Sequence, residues 1–210
     1  MKKTIYFITL LFCIIIFNTH TAFAHLKSRY HTVLSCKMIN GDKVILKDLK
    51  PIGNYPYLEI DGKEYLANGD KPYLEIQGKT SLAFDKDVTY GEWTGLILKQ
   101  CIRHTLVVVM GFGSPYPRGL AIRQNPITHK YERIDFGQKS LPTALYFKNN
   151  EWGVILPNIE NGYYVGKKYL VHFYKSGKNI SGKQDHIKGT NSFPVPKKDL
   201  VYIPLPKEYQ

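Results

Sequence analysis

The sequence has few acidic side chains, and it lacks the patterns that mark the commonest enzyme classes. Its 17 aspartates and glutamates stand against 29 lysines and arginines, which gives a net charge of +12. We find no His-Glu-x-x-His zinc motif, no Gly-x-Ser-x-Gly nucleophile turn and no Gly-rich nucleotide loop. No stretch of ten residues combines a helical apolar stripe with helix caps. These absences give no sign of an enzyme and predict little helix, although a β-fold hydrolase with scattered residues stays open.

The amino terminus predicts export. Two lysines precede an apolar run over Ile5–Phe17, and Ala22–Ala24 has the small-x-small pattern that signal peptidase cleaves. The run is shorter than the roughly 20 residues that span a bilayer. We therefore predict a signal peptide over residues 1–24 and a periplasmic or secreted mature chain over residues 25–210. We expect no transmembrane span in that mature chain.

Cysteine is scarce, and its placement predicts a disulfide. Of the three cysteines, Cys13 lies in the leader, so the mature chain keeps Cys36 and Cys101. Two cysteines in an exported chain usually pair. Closing such a loop would stabilise the fold by on the order of 4 kcal/mol in the chain-entropy model.

The charge of the mature chain favours an anionic partner. Without the two leader lysines, 27 basic side chains remain against 17 acidic ones, a net charge of about +10. An acidic protein, an anionic glycan or phospholipid headgroups fit this balance. We expect no nucleic-acid partner, because exported proteins seldom meet nucleic acid. The basic residues are spread along the chain, which is also typical of a solvated surface.

A repeated pentapeptide predicts hairpins. Pro-Tyr-Leu-Glu-Ile occurs at Pro56 and again at Pro72, and Asp61-Gly62 follows the first copy as a turn pair that tolerates positive φ. The expected register pairs Ile60 with Lys63, Tyr57 with Leu66, Ile76 with Lys79 and Tyr73 with Leu82. It also sets Glu59 against Glu64, and this repulsion predicts a longer loop or a bulge. We interpret the two copies as one β-meander.

Further turn signals complete a mainly β fold. Asn40-Gly41-Asp42 and Asn149-Asn150 each separate two apolar alternating runs. Residues 96–110, as one unbroken strand, would place His104 on an apolar face as a core histidine. Ser140–Tyr146 is expected to hold one short helical turn. We predict a single-domain antiparallel sandwich or barrel over residues 25–210, with a proline-rich extended tail over residues 193–210.

A Gly/Pro-rich segment is the candidate binding site. Residues 110–126 read as a stiffened loop that presents Phe112, Tyr116, Arg118 and Arg123. Aromatic and arginine side chains on a rigid support are typical of protein-recognition hot spots. The alternative is a crossover loop whose aromatic side chains fold back onto the core.

The histidines offer an alternative site. Cleavage after Ala24 would make His25 the amino terminus, where its amino group and ring nitrogen can chelate copper with a second histidine. The candidates for that second ligand are His31, His104, His129, His172 and His186. One residue at a cleavage site is a slender basis, so we expect no metal and no cofactor.

Three functional hypotheses remain. The first is an exported binding protein of the inhibitor or immunity type, which recognises an envelope-acting effector or enzyme. The second is an enzyme that acts on cell wall or anionic glycan through histidines such as His25, His104 or His186. The third is an accessory structural protein of the envelope. The absence of catalytic motifs favours the first.

Overall fold

The computed structural model describes residues 30–49, 57–60, 63–66, 73–84, 93–112, 114–148, 151–159, 164–174 and 187–207. The signal peptide predicted over residues 1–24 and the candidate ligand His25 lie outside these residues. Within them, the chain forms β-strands and a short 3-10 helix over Lys197–Asp199. The mainly β fold predicted from the turn signals is confirmed.

The strands form three larger antiparallel sheets and a separate hairpin. Strands β1 to β6 span Tyr30–Lys37, Lys43–Leu49, Tyr57–Ile60, Lys63–Leu66, Tyr73–Ile76 and Lys79–Leu82. Strands β7 to β10 span Trp93–Ile102, Thr105–Phe112, Ser114–Gln124 and Tyr131–Gly137. Strands β11 to β15 span Ala144–Lys148, Glu151–Pro157, Tyr169–Tyr174, Ile187–Thr190 and Leu200–Tyr202. We name the sheets front (β1-β2-β5-β6), central (β10-β9-β8-β7) and rear (β14-β13-β12-β11-β15), and β3 pairs with β4.

The central sheet is buried on both faces. In β8, Leu106, Val108 and Met110 pack against front-sheet residues such as Leu46. The intervening Val107 and Val109 belong to the cluster formed with the rear sheet. Successive side chains of a strand point to opposite faces, so a strand between two layers is apolar at every position. This explains the continuous apolar run of β8.

The hairpin registers predicted from the repeat are confirmed, but two related predictions are wrong. The strand partners are Ile60–Lys63, Tyr57–Leu66, Ile76–Lys79 and Tyr73–Leu82. Glu59 stands directly opposite Glu64 without the expected bulge. The two copies do not form one meander, because β5 pairs with β2 of the front sheet while β3 and β4 form their own hairpin. The Asn40-Gly41-Asp42 hairpin between β1 and β2 is also confirmed.

The prediction of an unbroken strand over residues 96–110 is wrong. A two-residue turn at Arg103 and His104, with φ of 45° and 61°, reverses the chain between β7 and β8. His104 is therefore exposed at a turn, whereas the sequence placed it in the core. Both turn residues adopt the left-handed conformation that two-residue hairpins need, without the usual Asn-Gly pair.

The candidate binding segment is a strand, where the sequence predicted a loop. Residues 114–124 form β9, which pairs with β8 on one side and with β10 on the other. Pro115 and Pro117 are tolerated because β10 pairs with β9 only from Arg118 onward, and the β8–β9 register shifts near Phe112. Proline cannot donate to a ladder, so it suits a stretch with a missing partner strand or a bulge.

The segment after β10 and the carboxy-terminal tail are both extended. Residues 141–143 lead directly into β11, so the helical turn expected over Ser140–Tyr146 is wrong. The tail supplies β15, which pairs with β11 at the edge of the rear sheet. Val195 and Leu200 pack on the outer face of that sheet. Among the described residues of the tail, β15 lies at the edge of the rear sheet.

The predicted disulfide joins the front and central sheets. Cys36 of β1 and Cys101 of β7 form the bond, with their Cα atoms 5.2 Å apart. The bond closes a separation of 65 residues in sequence, so the chain-entropy model gives a stabilisation of about 4 kcal/mol. It covers one corner of the front cluster, in which Cys36 is fully buried.

Gly119 in β9 is required by a neighbouring ring. It lies directly opposite Phe136 of β10, and a Cβ atom at Gly119 would be 2.0 Å from Cε2 of that ring. Phe136 is itself buried between the central and rear sheets, so the ring has little room to move. We expect Gly119→Ala to lower the free energy of unfolding by about 1–3 kcal/mol, as overpacking does.

Gly137 provides the matched control, and chemical denaturation provides the measurement. A Cβ atom at Gly137 would be 3.1 Å from Cδ of Arg118, an exposed and flexible side chain. We expect Gly137→Ala to change the denaturation midpoint little. Equal losses in the two variants would contradict the packing argument for Gly119.

Candidate functional site

Tyr116 and Arg118 lie on one face of β9, near the end of the strand farther from the β9–β10 turn. Tyr116 is 40% exposed, and Arg118 is exposed as well. The Nζ atom of Lys139 lies 5.2 Å from the centre of the Tyr116 ring, within the range of a cation–π contact. Opposite Arg118 stands Gly137, over which the arginine side chain packs. We call Tyr116, Arg118 and Lys139 the Tyr116 surface.

The other two predicted site residues are Phe112 and Arg123. Phe112 ends β8, and its side chain lies outside the described part of the structure. Arg123 is only 6% exposed and lies seven residues along β9 from Tyr116. At the rise of a strand this separation is about 23 Å. Arg123 therefore belongs to a different part of the molecule.

Arg123 forms a buried ion pair between the central and rear sheets. Its Nε atom donates to Oε2 of Glu132 at 2.8 Å, and the two side chains are 7% and 4% exposed. Asn125 donates to the other carboxylate oxygen at 2.7 Å. Residues 123 and 132 are direct cross-strand partners, so the β9–β10 register itself brings the charges together. Both carboxylate oxygens of Glu132 are therefore hydrogen-bonded.

Aromatic rings of the rear sheet cover the guanidinium group. Its central carbon lies 4.8 Å from the ring centre of Trp152 and 5.5 Å from that of Phe147. Burial lowers the pKa of Arg123, while the hydrogen bond and the charge of Glu132 oppose the shift. A buried arginine keeps its charge under such conditions because its ordinary pKa is so high.

Three buried polar atoms around this pair have no hydrogen-bond partner among the described residues. They are Oγ1 of Thr105, Nη2 of Arg123 and Nε1 of Trp152. Thr105 is the cross-strand partner of Arg123 on β8, so two of these atoms belong to facing residues. An unpaired buried polar group destabilises a fold, so this region of the interface is less tightly optimised than the apolar clusters around it.

His172 of β13 is another buried titratable group in the rear interface. It is 5% exposed, and its ring meets that of Phe136 edge-on at a centroid distance of 6.1 Å. Burial lowers the pKa of His172 to about 4. The Nε2 atom makes no hydrogen bond within the described part of the chain. A neutral imidazole packed in an apolar interface is a structural element here.

The histidines do not form a metal centre in the described residues. Within those ranges, no group of three His, Cys, Asp or Glu side chains is arranged to hold a metal ion. His31, His104 and His129 are exposed, while His25 and His186 lie outside the described residues. The hypothesis of a copper site at His25 thus stays a prediction. No helix in the described part of the chain has the length and apolarity needed to cross a membrane.

Sequence reasoning missed the partner of Arg123. Glu132 belongs to no motif or turn signal in the sequence, yet it is the residue that pairs with Arg123. The two opposite charges stand at matching distances from the turn that Asn125 begins, with Asn125 accepting from the backbone nitrogens of Ile127 and Thr128. Opposite charges placed symmetrically about a turn are the signal that predicts such a pair.

Comparison with protein-family models, curated protein sequences and solved structures finds no match.

Removing one member of the buried pair should cost more stability than removing both. We expect Glu132→Leu alone to lower the free energy of unfolding by about 3–5 kcal/mol, because it leaves an uncompensated buried charge. The double variant Arg123→Met/Glu132→Leu should recover most of that loss. Chemical denaturation of the two variants and the wild type tests this expectation.

The neighbouring pair Arg133–Asp135 is the matched control on the same strand. Its side chains are 25% and 22% exposed, so solvent screens the interaction. We expect Asp135→Leu to cost only about 1 kcal/mol. A double variant of the buried pair that is less stable than Glu132→Leu would contradict the argument.

His172 should make the fold less stable as the pH falls. Its folded pKa of about 4 lies below the ordinary value of 6.5, so the unfolded chain binds the proton first. The stabilisation is complete above about pH 6.5 and is lost between pH 6.5 and 4, with an amplitude of about 3 kcal/mol. Denaturation midpoints of the wild type and of His172→Phe, measured across this range, should converge or cross as the pH falls.

The exposed His104 provides the control for that series. His104→Gln replaces an exposed histidine and leaves His172 in place, so the slope assigned to His172 should persist in this variant. A His172→Phe variant with the same slope as the wild type between pH 6.5 and 4 would show that His172 does not carry the effect.

Proposed function

We propose that the protein is an exported binding protein of the inhibitor or immunity type, and that it uses the Tyr116 surface to contact an envelope-acting effector or enzyme. The observation that carries this proposal is the half-exposed Tyr116, with Arg118 on the same strand face and Lys139 over its ring. Tyrosine and arginine are the residue types most enriched in the energetic centres of protein interfaces.

The strand that carries these side chains is rigid, so they would lose little conformational entropy in a complex. Tyr116 and Arg118 stand on β9, whose next residues of the same face, Leu120 and Ile122, are fixed in the front cluster. Side chains on a rigid strand lose less conformational entropy in a complex than side chains on a loop. The strand thus supports the proposed role better than the loop expected from the sequence.

The charge of this surface supports an acidic partner. Arg118 and Lys139 are exposed cations beside Tyr116, and the mature chain as a whole is basic. Complementary charge increases the rate of association and excludes like-charged partners.

Two apolar side chains lie on a loop next to this surface. Ile159 and Val165 are 64% and 69% exposed on the loop between β12 and β13. That loop is joined to the Lys139 segment, because Ser140 donates to the carbonyl of Pro157 at 2.5 Å.

The proposal of export is based on the sequence of the amino-terminal segment, which lies outside the described residues. The leader predicted over residues 1–24 would direct the chain to the periplasm or the medium, where the Cys36–Cys101 bond is stable. Mass spectrometry of the exported chain would give its first residue.

The Tyr116 surface should be necessary for capture of one partner. Tagged protein, produced from its full-length precursor and recovered after export, is exposed to envelope and secreted fractions of its own and neighbouring species. We expect one stoichiometric acidic protein, with its capture lost in Tyr116→Ala/Arg118→Ala because the aromatic and cationic anchors are gone. Quantitative mass spectrometry of the eluates is the measurement.

A tyrosine and a lysine elsewhere provide the control. Tyr202 is 55% exposed near the carboxy terminus and Lys198 is exposed beside it, so Tyr202→Ala/Lys198→Ala makes a similar change away from the site. This variant should capture the partner as the wild type does, and both variants should keep the wild-type melting temperature. Capture retained in Tyr116→Ala/Arg118→Ala, or no partner at all, would overturn the proposal.

A further inference from the structure

Four hairpin turns converge at the end of the molecule opposite the Tyr116 surface. They comprise residues 38–42 (β1–β2), 77–78 (β5–β6), 103–104 (β7–β8) and 125–130 (β9–β10). Together with the flanking Lys37, Lys43 and Lys79, we call them the turn face. The turn that Asn125 begins lies nine residues from Tyr116 along β9, which is about 30 Å at the rise of a strand.

Hydrogen bonds between different turns fix the turn face as one surface. The backbone nitrogen of Asn40 donates to Oε1 of Gln124 at 3.2 Å, which joins the first and last turns. The side chains of Gln77 and Tyr131 both donate to Oδ2 of Asp42 at 3.3 Å. His104 donates through Nδ1 to the carbonyl of Lys37 at 2.9 Å. Front-sheet and central-sheet turns are therefore held together.

Two aliphatic side chains project from this surface. Ile39 is 48% exposed on the first turn, and Ile127 is 70% exposed on the last. The position of Ile127 is set from the interior, because its backbone nitrogen donates to Asn125, whose side chain donates in turn to the buried Glu132. These hydrogen bonds keep the Ile127 side chain in solvent. Exposing apolar surface to water is unfavourable, and covering it with an apolar environment would lower the free energy.

Basic side chains lie on or beside the same turns as the two isoleucines. Lys37 and Lys43 are direct cross-strand partners at the base of the first turn, although like charges opposite each other are destabilising. Lys79, Arg103 and Lys130 flank the other turns, and all five basic side chains are exposed. The carboxylate of Asp42 is hydrogen-bonded to three side chains of the same surface, and bonds from Asn40 and Gln77 lower its pKa. The exposed charge of the turn face is positive.

Backbone strain is also concentrated at this end. Among the described residues, the non-glycine residues with positive φ are Gln77, Arg103, His104 and His129, and all four belong to the turn face. An Asn-Gly pair would adopt the turn at Arg103 and His104 with less strain. Non-glycine residues in strained backbone conformations cluster at functional sites.

We propose that the turn face docks on an anionic phospholipid bilayer, with Ile39 and Ile127 inserted at the level of the headgroups and the basic residues against the lipid phosphates. Exposed aliphatic side chains next to basic ones match the bilayer surface, where anionic headgroups cover an apolar interior. The described turn face presents no tyrosine or tryptophan as an exposed tip, whereas a glycan would favour aromatic stacking. The proposal is independent of the protein-binding function, because the Tyr116 surface lies at the other end.

Sedimentation with vesicles tests the proposal. The exported full-length mature protein is mixed with large unilamellar vesicles of phosphatidylglycerol and phosphatidylethanolamine, or of phosphatidylcholine alone, at about 0.1 M salt. We expect binding to the anionic vesicles only. Ile39→Ser/Ile127→Ser should lower the partition coefficient about tenfold, because partly buried aliphatic groups are lost. Lys37→Glu/Lys43→Glu should lower it about fivefold or more for each side chain.

The other end of the molecule supplies a matched control. Ile159→Ser/Val165→Ser replaces two aliphatic side chains of similar exposure on the β12–β13 loop, and it should change vesicle binding less than about twofold. A second variant separates binding from folding. Arg103→Asn keeps His104 and its hydrogen bond to Lys37, so it should leave the melting temperature unchanged or raise it, since asparagine tolerates positive φ, while the lost cation weakens vesicle binding.

The outcomes that overturn the proposal are distinct. Equal binding to neutral and anionic vesicles, or no binding to either, contradicts it. If Ile39→Ser/Ile127→Ser binds as the wild type does while charge reversal abolishes binding, the surface is a general polyanion site and the lipid proposal is wrong. The single variant Ile127→Ser, at the more exposed tip, keeps the test valid should the double variant fold poorly. Each result leaves the capture experiment on Tyr116 unaffected.

Discussion

Burial of the central sheet on both faces is the constraint on which the rest of the structure depends. The side chains of β8 face the front sheet and the rear sheet in alternation. Both sheets are therefore required to cover this strand. Polar groups inside such a stack must find partners there, and Arg123 finds Glu132 directly across its strand. With its faces covered, the central sheet ends in turns and strand termini at two opposite ends. The Tyr116 surface and the turn face occupy these ends.

Much of the fold was accessible from sequence because hairpins are local. The register of β3 with β4 follows from the turn pair Asp61-Gly62, and the Cys36–Cys101 bond was expected from the prediction of export. The hairpin at Arg103-His104 could not be found this way, because neither residue type signals a left-handed turn. The apolar run that follows it then resembles the continuation of β7. Periodicity alone cannot show that a strand lies between two layers, since such a strand is apolar throughout.

The residue types of the candidate site could be predicted from the sequence, but the positions of those residues in the fold could not. Tyr116 and Arg118 were found from aromatic and arginine residues among glycines and prolines, and the structure places them together. Arg123 has the same chemistry and belongs to the interior, because eleven residues of β9 carry the chain from one end of the molecule to the other. The turn face could not be seen in sequence, since its four turns come from segments between residues 38 and 130 that only the packing of the front sheet on the central sheet brings together.

The Arg123–Glu132 pair also has a consequence for the order of folding. The two charges are nine residues apart across one tight turn, so the β9–β10 hairpin can bring them together while both are still hydrated. Their dehydration comes when Trp152 and Phe147 of the rear sheet close over the guanidinium group. We therefore expect closure of the rear sheet at this corner to be a late step, so that truncating Trp152 accelerates unfolding and leaves the folding rate nearly unchanged in stopped-flow kinetics, whereas a slower folding rate would place closure early. The corner of the protein that holds this buried ion pair would then be the last to lose its water.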